Sequence, residues 1–121
     1  MTESEAAAKF TALAHETRLR LFRLLIVNAP HGLPAGNLAE HLAVAPNNLS
    51  AHLNVLSHAG LIAMRKAGRS RIYTARMDTI GETISFLVDE CCQGHPEACQ
   101  PAMSALNSVS YTHLTLPTKR I

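Results

Sequence analysis

Two absences mark this 121-residue chain: it has no tryptophan, and no cysteine precedes residue 91. Aromatic residues are scarce, with two Tyr and three Phe. The N-terminus, MTESEAAAKF, lacks the basic start and apolar run of a signal peptide. Arginines interrupt the longest apolar stretch, LRLFRLLIV, so no segment is expected to span a bilayer. We therefore expect a cytoplasmic globular protein without a membrane partner.

A third absence is local and concerns acidic residues. No Asp or Glu occurs between His41 and Met77, although the chain carries nine. The same window holds five basic residues: Arg65, Lys66, Arg69, Arg71 and Arg76. Positive charge without acids suits a polyanion, because each basic side chain placed on a phosphate releases condensed counterions. Taken alone, the run also fits an ordinary solvated face.

Apolar spacing and helix-stopping residues predict the order of elements. We expect helices over residues 4–13, 17–27, 35–43 and 46–60 and a last helix from about residue 78. Between the last two helices the period changes to that of two short strands, 61–65 and 70–75, joined by a turn at Gly68. The fold class is therefore mainly α with a small β-hairpin.

Two short helices, a tight linker and a basic hairpin are typical of a winged helix-turn-helix, whose second helix enters the major groove. Asparagine can bond adenine bidentately, and serine can reach bases or phosphates. A small helical domain with a polar surface is the alternative interpretation, and a packing role is the alternative for His52. The predicted DNA contacts are Asn47, Asn48, Ser50, Ala51 and His52 on the helix, and Lys66, Arg69 and Arg71 on the hairpin.

All cysteines fall in CCQGHPEAC, as Cys91, Cys92 and Cys99. An odd, clustered set of thiols in a reducing compartment indicates metal binding or redox chemistry before disulfides. Neighbours on a helix diverge by about 100°, so the vicinal pair meets one ion only where the helix ends. Gly94 and Pro96 favour such an end. Three thiolates suit a soft, thiophilic ion, such as trivalent arsenic (arsenite) or antimony.

Other roles for the cysteines stay open. With His95 they make a Cys3His set for zinc or cadmium, and they also suit a thiol-oxidation switch or an inert terminus. A Cys-based arsenate reductase would need an anion-cradling loop, and the sequence has no Gly-rich phosphate-type loop. We therefore expect no enzyme. A metal-buffering protein would leave residues 41–76 unexplained.

Three stretches resemble the bacterial metalloregulatory repressors of the ArsR/SmtB family: LAHETRLRLFRLL, NLAEHLAVAPNNLSAHLNVLSHAGLI and RKAGRSRIYTA. The match covers about residues 8–100. The resemblance implies a homodimer built from the first and last helices, bound to an operator with two-fold symmetry and released by a metal or metalloid. On the last helix, an apolar stripe is the expected dimer contact: Ile80, Ile84, Leu87 and Val88.

Within the family, the thiols point to the arsenite sensors that carry a vicinal cysteine pair and a third cysteine just beyond the last helix. Two other family sites do not fit, because LPAGNLAEHL has no cysteine and the last helix has no histidine. Ala45 also replaces a small hydroxyl residue, which leaves the recognition helix without a side-chain cap. We expect residues 1–100 to form the DNA-binding and dimerisation domain with its C-terminal metalloid site, and residues 101–121 a disordered, partly non-native tail.

Overall fold

The computed structural model describes residues 1–90, with the side chains of residues 1–88. The chain divides into two compact units, residues 1–83 and 84–121. The predicted domain boundary at residue 100 lies outside the described residues. The elements are α1 (Glu3–Leu13), α2 (Glu16–Val27), β1 (Leu33–Pro34), α3 (Ala35–Leu42), α4 (Pro46–His58), β2 (Ile62–Ala67), β3 (Ser70–Ala75), α5 (Met77–Ser85) and a π-helical turn (Phe86–Glu90).

The first two helices begin at side-chain caps. Thr2 and Glu5 form a capping box: the Thr2 hydroxyl accepts from the Glu5 N–H at 3.1 Å, and the Glu5 carboxylate accepts from the Thr2 N–H at 2.7 Å. At the start of α2, Nδ1 of His15 accepts from the Thr17 N–H at 3.2 Å. Because these bonds satisfy donors that a helix start leaves unpaired, they fix where each helix begins.

Helices α3 and α4 are joined by a tight turn that contains one strained residue. Ala43, the C-cap of α3, has the left-handed values φ 54 and ψ 46, which cost a residue with a Cβ about 1–2 kcal/mol. At the other end of α4, Gly60 has a φ of +77 and supplies the same conformation without that cost. The helix-turn-helix and the predicted stop at Gly60 are confirmed.

The hairpin is part of a three-stranded antiparallel sheet of order β1-β3-β2. Strand β1, which was not among the predicted elements, pairs Leu33 with Tyr73 and Pro34 with Ile72. Gly32 precedes it with a φ of +83, and a Cβ at this position would collide with the backbone oxygen of Tyr73. The third strand therefore depends on a glycine that lets two backbones approach closely.

The core is aliphatic and joins the helices to the first residues of β2. Each of α2, α3 and α4 contributes at least two leucines that are almost fully buried, and Phe22 is the one aromatic residue in the described core. Such a core explains how the unit packs with so few aromatic residues. The core residues are Ala12, Leu21, Phe22, Leu25, Leu38, Leu42, Leu49, Leu53, Leu56, Leu61 and Ile62.

Candidate nucleic-acid interface

Helix α4, the recognition helix, buries one face and exposes the other. Leu49, Leu53 and Leu56 are at most 3% exposed and hold the helix against the core. The opposite face is polar and small, with no Lys, Arg, Asp or Glu in the whole helix. Four of the predicted contact residues lie exposed on its first turns: Asn47, Asn48, Ser50 and Ala51.

The N-terminal end of the recognition helix carries no side-chain cap. Ala45 occupies the N-cap position and makes no side-chain hydrogen bond, as its identity predicted. Pro46 follows in the first turn, where the missing N–H is tolerated. The exposed start of this helix is therefore an uncapped first turn that carries the amide side chains of Asn47 and Asn48.

His52 lies in a different environment from the other predicted contacts. Its side chain is half-buried, and its ring centroid is 4.7 Å from that of His15, with the two planes tilted by 48°. Burial lowers the pKa of His52, and the neighbouring His15 and Arg18 lower it further. The structure therefore brings His52 to the start of α2, whereas a contact with DNA stays a prediction.

The hairpin β2–β3, which we call the wing, presents its charges on exposed side chains. Lys66 and Arg71 are directly opposite in the strand register, and Arg69 lies in the two-residue loop between Ala67 and Ser70. Gly68 begins that loop with a φ of +65, as a tight hairpin turn requires. Like charges directly opposite each other destabilise a hairpin. An anion bound near Lys66 and Arg71 would reduce that repulsion.

Two of the five basic residues of the acid-free window are engaged within the protein. Nη2 of Arg65 donates to the carbonyl oxygen of His31 at 2.9 Å, which ties β2 to the segment before β1. Nη2 of Arg76 lies 3.1 Å from Oδ2 of Asp78 on the surface. Among residues 1–88, no hydrogen bond or ion pair engages the side chains of the remaining three, which are the predicted DNA contacts: Lys66, Arg69 and Arg71.

The predicted dimer residues differ in exposure. Ile80 is half-buried and packs against the core of the first unit. Ile84 and Val88 are also half-buried, whereas Leu87 is 46% exposed. Their role across a two-fold axis stays a prediction.

The predicted metalloid ligands Cys91, Cys92 and Cys99, together with His95, lie outside the described residues. Within the described residues, no three His, Cys, Asp or Glu side chains come together as a metal-binding group. No helix in this part of the chain is long and apolar enough to cross a membrane.

Comparison with known proteins identifies the class of this fold. A helix-turn-helix domain family matches residues 13–65, from the end of α1 into β2. The chain is 34% identical to the uncharacterised HTH-type transcriptional regulator MJ1325 of Methanocaldococcus jannaschii over 86 residues, which are 71% of this chain and 93% of that protein. This chain belongs to the helix-turn-helix transcriptional regulators. These relatives are regulators and not enzymes, which confirms that prediction.

Two solved structures similar to this chain are regulators linked by description to the ArsR class or to arsenical resistance. The ArsR-like transcriptional regulator of Rhodococcus sp. RHA1 superposes with a TM-score of 0.60 at 26% identity, covering 88% of this chain and 92% of that one. A protein described as a possible transcriptional regulator for arsenical resistance gives a TM-score of 0.59 at 29% identity, covering 78% and 94%. The predicted winged helix-turn-helix fold is therefore confirmed, and its likeness to an ArsR-like regulator supports the predicted family resemblance.

Two features of this interface were absent from the sequence-based prediction. One is the His15–His52 pair, whose members are far apart in the chain and carry no motif spacing. The other is the anchoring of the wing by Arg65 and by β1. The one sequence signal for the anchoring of the wing was Gly32, because a glycine next to a proline-containing segment can mark a close backbone approach. The same glycine also fits the simple end of a helix.

Proposed function

We propose that this ArsR-like regulator is a repressor that binds operator DNA as a homodimer and releases it when trivalent arsenic or antimony binds Cys91, Cys92 and Cys99. The observation that carries this proposal is that all three thiols fall within nine residues directly after the described domain. Three thiolates are a donor set that soft, thiophilic ions prefer. The similarity to a possible regulator for arsenical resistance supports the same effector.

The DNA-binding half of the proposal rests on two neighbouring elements of one domain. The recognition helix offers amide and hydroxyl groups that can read base edges. The wing offers three cationic side chains that no described residue engages, which suits phosphate contacts. Together they provide specificity and salt-dependent affinity, the two components of a site-specific DNA contact.

A homodimer follows from the need to cover the apolar stripe on the last helix and from the two-fold symmetry of most operators read by such motifs. We infer that the first and last helices provide the contact. Replacing Ile84 with Glu should then give monomers and abolish tight operator binding. Val27→Glu is the matched control, because Val27 is 79% exposed on α2, outside the inferred contact. A dimeric Ile84→Glu protein in sedimentation experiments would refute this interface.

Release follows from linkage between the two ligands. If arsenite binds the DNA-free dimer more tightly than the DNA-bound dimer, it weakens operator affinity by the same factor by which DNA weakens arsenite binding. Couplings of this kind are typically about 1–3 kcal/mol, or 5- to 150-fold. We place this exchange in the cytoplasm, where thiols stay reduced.

The test measures DNA binding with reduced protein in the presence of arsenite, antimonite, zinc or cadmium. The probe is the duplex that the wild-type protein selects from random sequences. Single replacements of Cys91, Cys92 or Cys99 by Ser should keep DNA binding and lose release by arsenite. His95→Ala should leave arsenite release intact, whereas a Cys3His zinc or cadmium site would be impaired.

Three results would contradict the three-thiolate site. If Cys99→Ser still lets arsenite dissociate the complex at the wild-type concentration, Cys91 and Cys92 act with another ligand. If zinc or cadmium releases the DNA and His95→Ala blocks that release, the effector is a tetrahedral metal ion. Release by oxidant alone, reversed by a thiol reductant, would assign the cysteines to a redox switch.

A further inference from the structure

Three side chains connect α1, α2 and the recognition helix at one corner of the domain. His15 caps α2 through Nδ1, which accepts from the Thr17 N–H at 3.2 Å. Nε of Arg18 donates to the carbonyl oxygen of Ala12, at the end of α1, at 2.6 Å. His52 of the recognition helix places its ring against His15 at 4.7 Å. The end of α1, the start of α2 and the middle of the recognition helix therefore share one contact.

The position of His52 within the recognition helix places it on the edge of the buried face. It follows Leu49 by three residues and precedes Leu56 by four, the spacings that align side chains on one side of a helix. Both leucines are buried, and His52 itself is half-buried. Asn48, four residues before His52, is exposed, so His52 lies where the buried face of the helix meets the exposed one. His52 is thus placed to fix how deeply the recognition helix sits against α1 and α2.

This corner favours the neutral form of His52. Nδ1 of His15 can accept from the Thr17 N–H only while it is unprotonated, because a protonated imidazole has no acceptor. Burial lowers the pKa of His52, and the groups facing it that lower it further are His15 and the permanently charged Arg18. The recognition helix adds no Lys, Arg, Asp or Glu of its own. Protonation of His52 would place its positive charge beside that of Arg18.

We propose that His52 is a positioning residue for the recognition helix, and that its contact with His15 makes operator binding weaken as the solution becomes acidic. The proposal rests on the proposed function only in that the recognition helix is the element that meets DNA. It assigns His52 an indirect role, in place of a direct contact with a base.

The sign of the effect follows from proton uptake. A state in which the recognition helix has left this corner returns the pKa of His52 towards its ordinary value of about 6.5, whereas the seated state holds it lower. The displaced state then binds more protons, so acid favours it and neutral pH favours the seated state. Exposed histidines act in the opposite direction, because their positive charge strengthens phosphate contacts.

The experiment compares four full-length proteins on the duplex selected by the wild type at pH 7.5. His52→Gln removes the titrating group and keeps a polar side chain of similar reach. His15→Asn removes the second imidazole and keeps an N-cap residue. His58→Gln is the matched control, since His58 is exposed on the same helix. Dissociation constants are measured from pH 7.5 to 5.5 at constant ionic strength.

We expect wild-type and His58→Gln proteins to lose at least about fivefold in affinity over this range, the lower end of typical couplings between sites. His52→Gln and His15→Asn should lose most of the acid weakening, measured as the ratio of each protein's own dissociation constants at pH 5.5 and pH 7.5. An unchanged acid response in His52→Gln would overturn the proposal. So would a folded His52→Gln protein that fails to select the same duplex at pH 7.5, because His52 would then read a base directly.

A DNA-independent readout separates this inference from the proposed function. The free energy of unfolding of the wild type should fall between pH 7.5 and 5.5, and His52→Gln should reduce that fall. If no protein binds DNA but this pattern holds, the proposed function fails and the positioning contact stands. If the unfolding profiles of the two proteins coincide, the contact carries no proton linkage and the inference is wrong.

Discussion

The recognition helix and the wing contrast in charge. The helix contains no Lys, Arg, Asp or Glu across its 13 residues, whereas the wing carries four exposed basic residues and no acid: Arg65, Lys66, Arg69 and Arg71. An uncharged helix contributes little to counterion release, and a charged hairpin tip carries little base information. We infer from this contrast that, under the proposed function, the helix reads the DNA sequence and the wing supplies electrostatic affinity.

The two elements also differ in how the domain holds them. Buried leucines seat the recognition helix in the core. The outer part of the wing is exposed, and it is held at its base by the short strand β1 and by the Arg65–His31 hydrogen bond. Substitutions beneath the helix should therefore cause the largest decrease in the free energy of unfolding. Substitutions beneath the wing should decrease it less.

The largest effect is expected under the recognition helix. Leu56 is completely buried, so Leu56→Ala removes apolar contacts and leaves a cavity, which should lower the free energy of unfolding by about 2–5 kcal/mol. Val55→Ala, at a site 39% exposed on the same helix, is the control and should cost much less. Denaturant titration of both proteins checks the difference. Equal losses would mean that the leucine face does not seat the helix.

A smaller loss is expected under the wing. Gly32→Ala places a Cβ against the backbone oxygen of Tyr73 at a φ of +83, so the β1–β3 pairing must shift. Overpacking of this kind typically costs about 1–3 kcal/mol. Gly36→Ala is the matched control, because nothing lies within 4 Å of a Cβ there and alanine favours a helix. Thermal unfolding in which Gly32→Ala equals the wild type would remove β1 as an anchor.

The smallest effect, a gain, is expected in the turn between α3 and α4. Ala43 has a φ of 54, and Ala43→Gly relieves the left-handed strain at the cost of more backbone entropy. We expect a net stabilisation of about 0.5–1 kcal/mol, with operator affinity unchanged, measured by denaturant titration and DNA binding. A loss of stability would show that the turn is not strained.

Most of the domain follows from local sequence signals, because its helices have regular leucine spacing and clear stops. The helix boundaries of α1 to α4 and strand β3 lie within two residues of their predicted positions. Strand β1 escaped prediction because two residues, one of them Pro34, show no periodicity. The placement of His52 against His15 depends on the packing of α4 on the α1–α2 corner, which no local pattern encodes.

The most direct test of the separation between helix and wing is the salt dependence of DNA binding, measured on the selected duplex and on a scrambled one. Replacing Lys66, Arg69 or Arg71 with Ala should lower the slope of log K against log salt on both duplexes. The expected decrease is about 0.9 for each phosphate that the variant no longer neutralises, counted over both protomers of the proposed dimer. Arg65→Ala is the internal control and should keep the slope, since its guanidinium is engaged by the His31 carbonyl. Asn48→Ala should keep the slope and reduce the preference for the selected duplex by about tenfold to hundredfold. If the wing variants change sequence preference while their salt slopes stay at the wild-type value, the separation of roles is wrong.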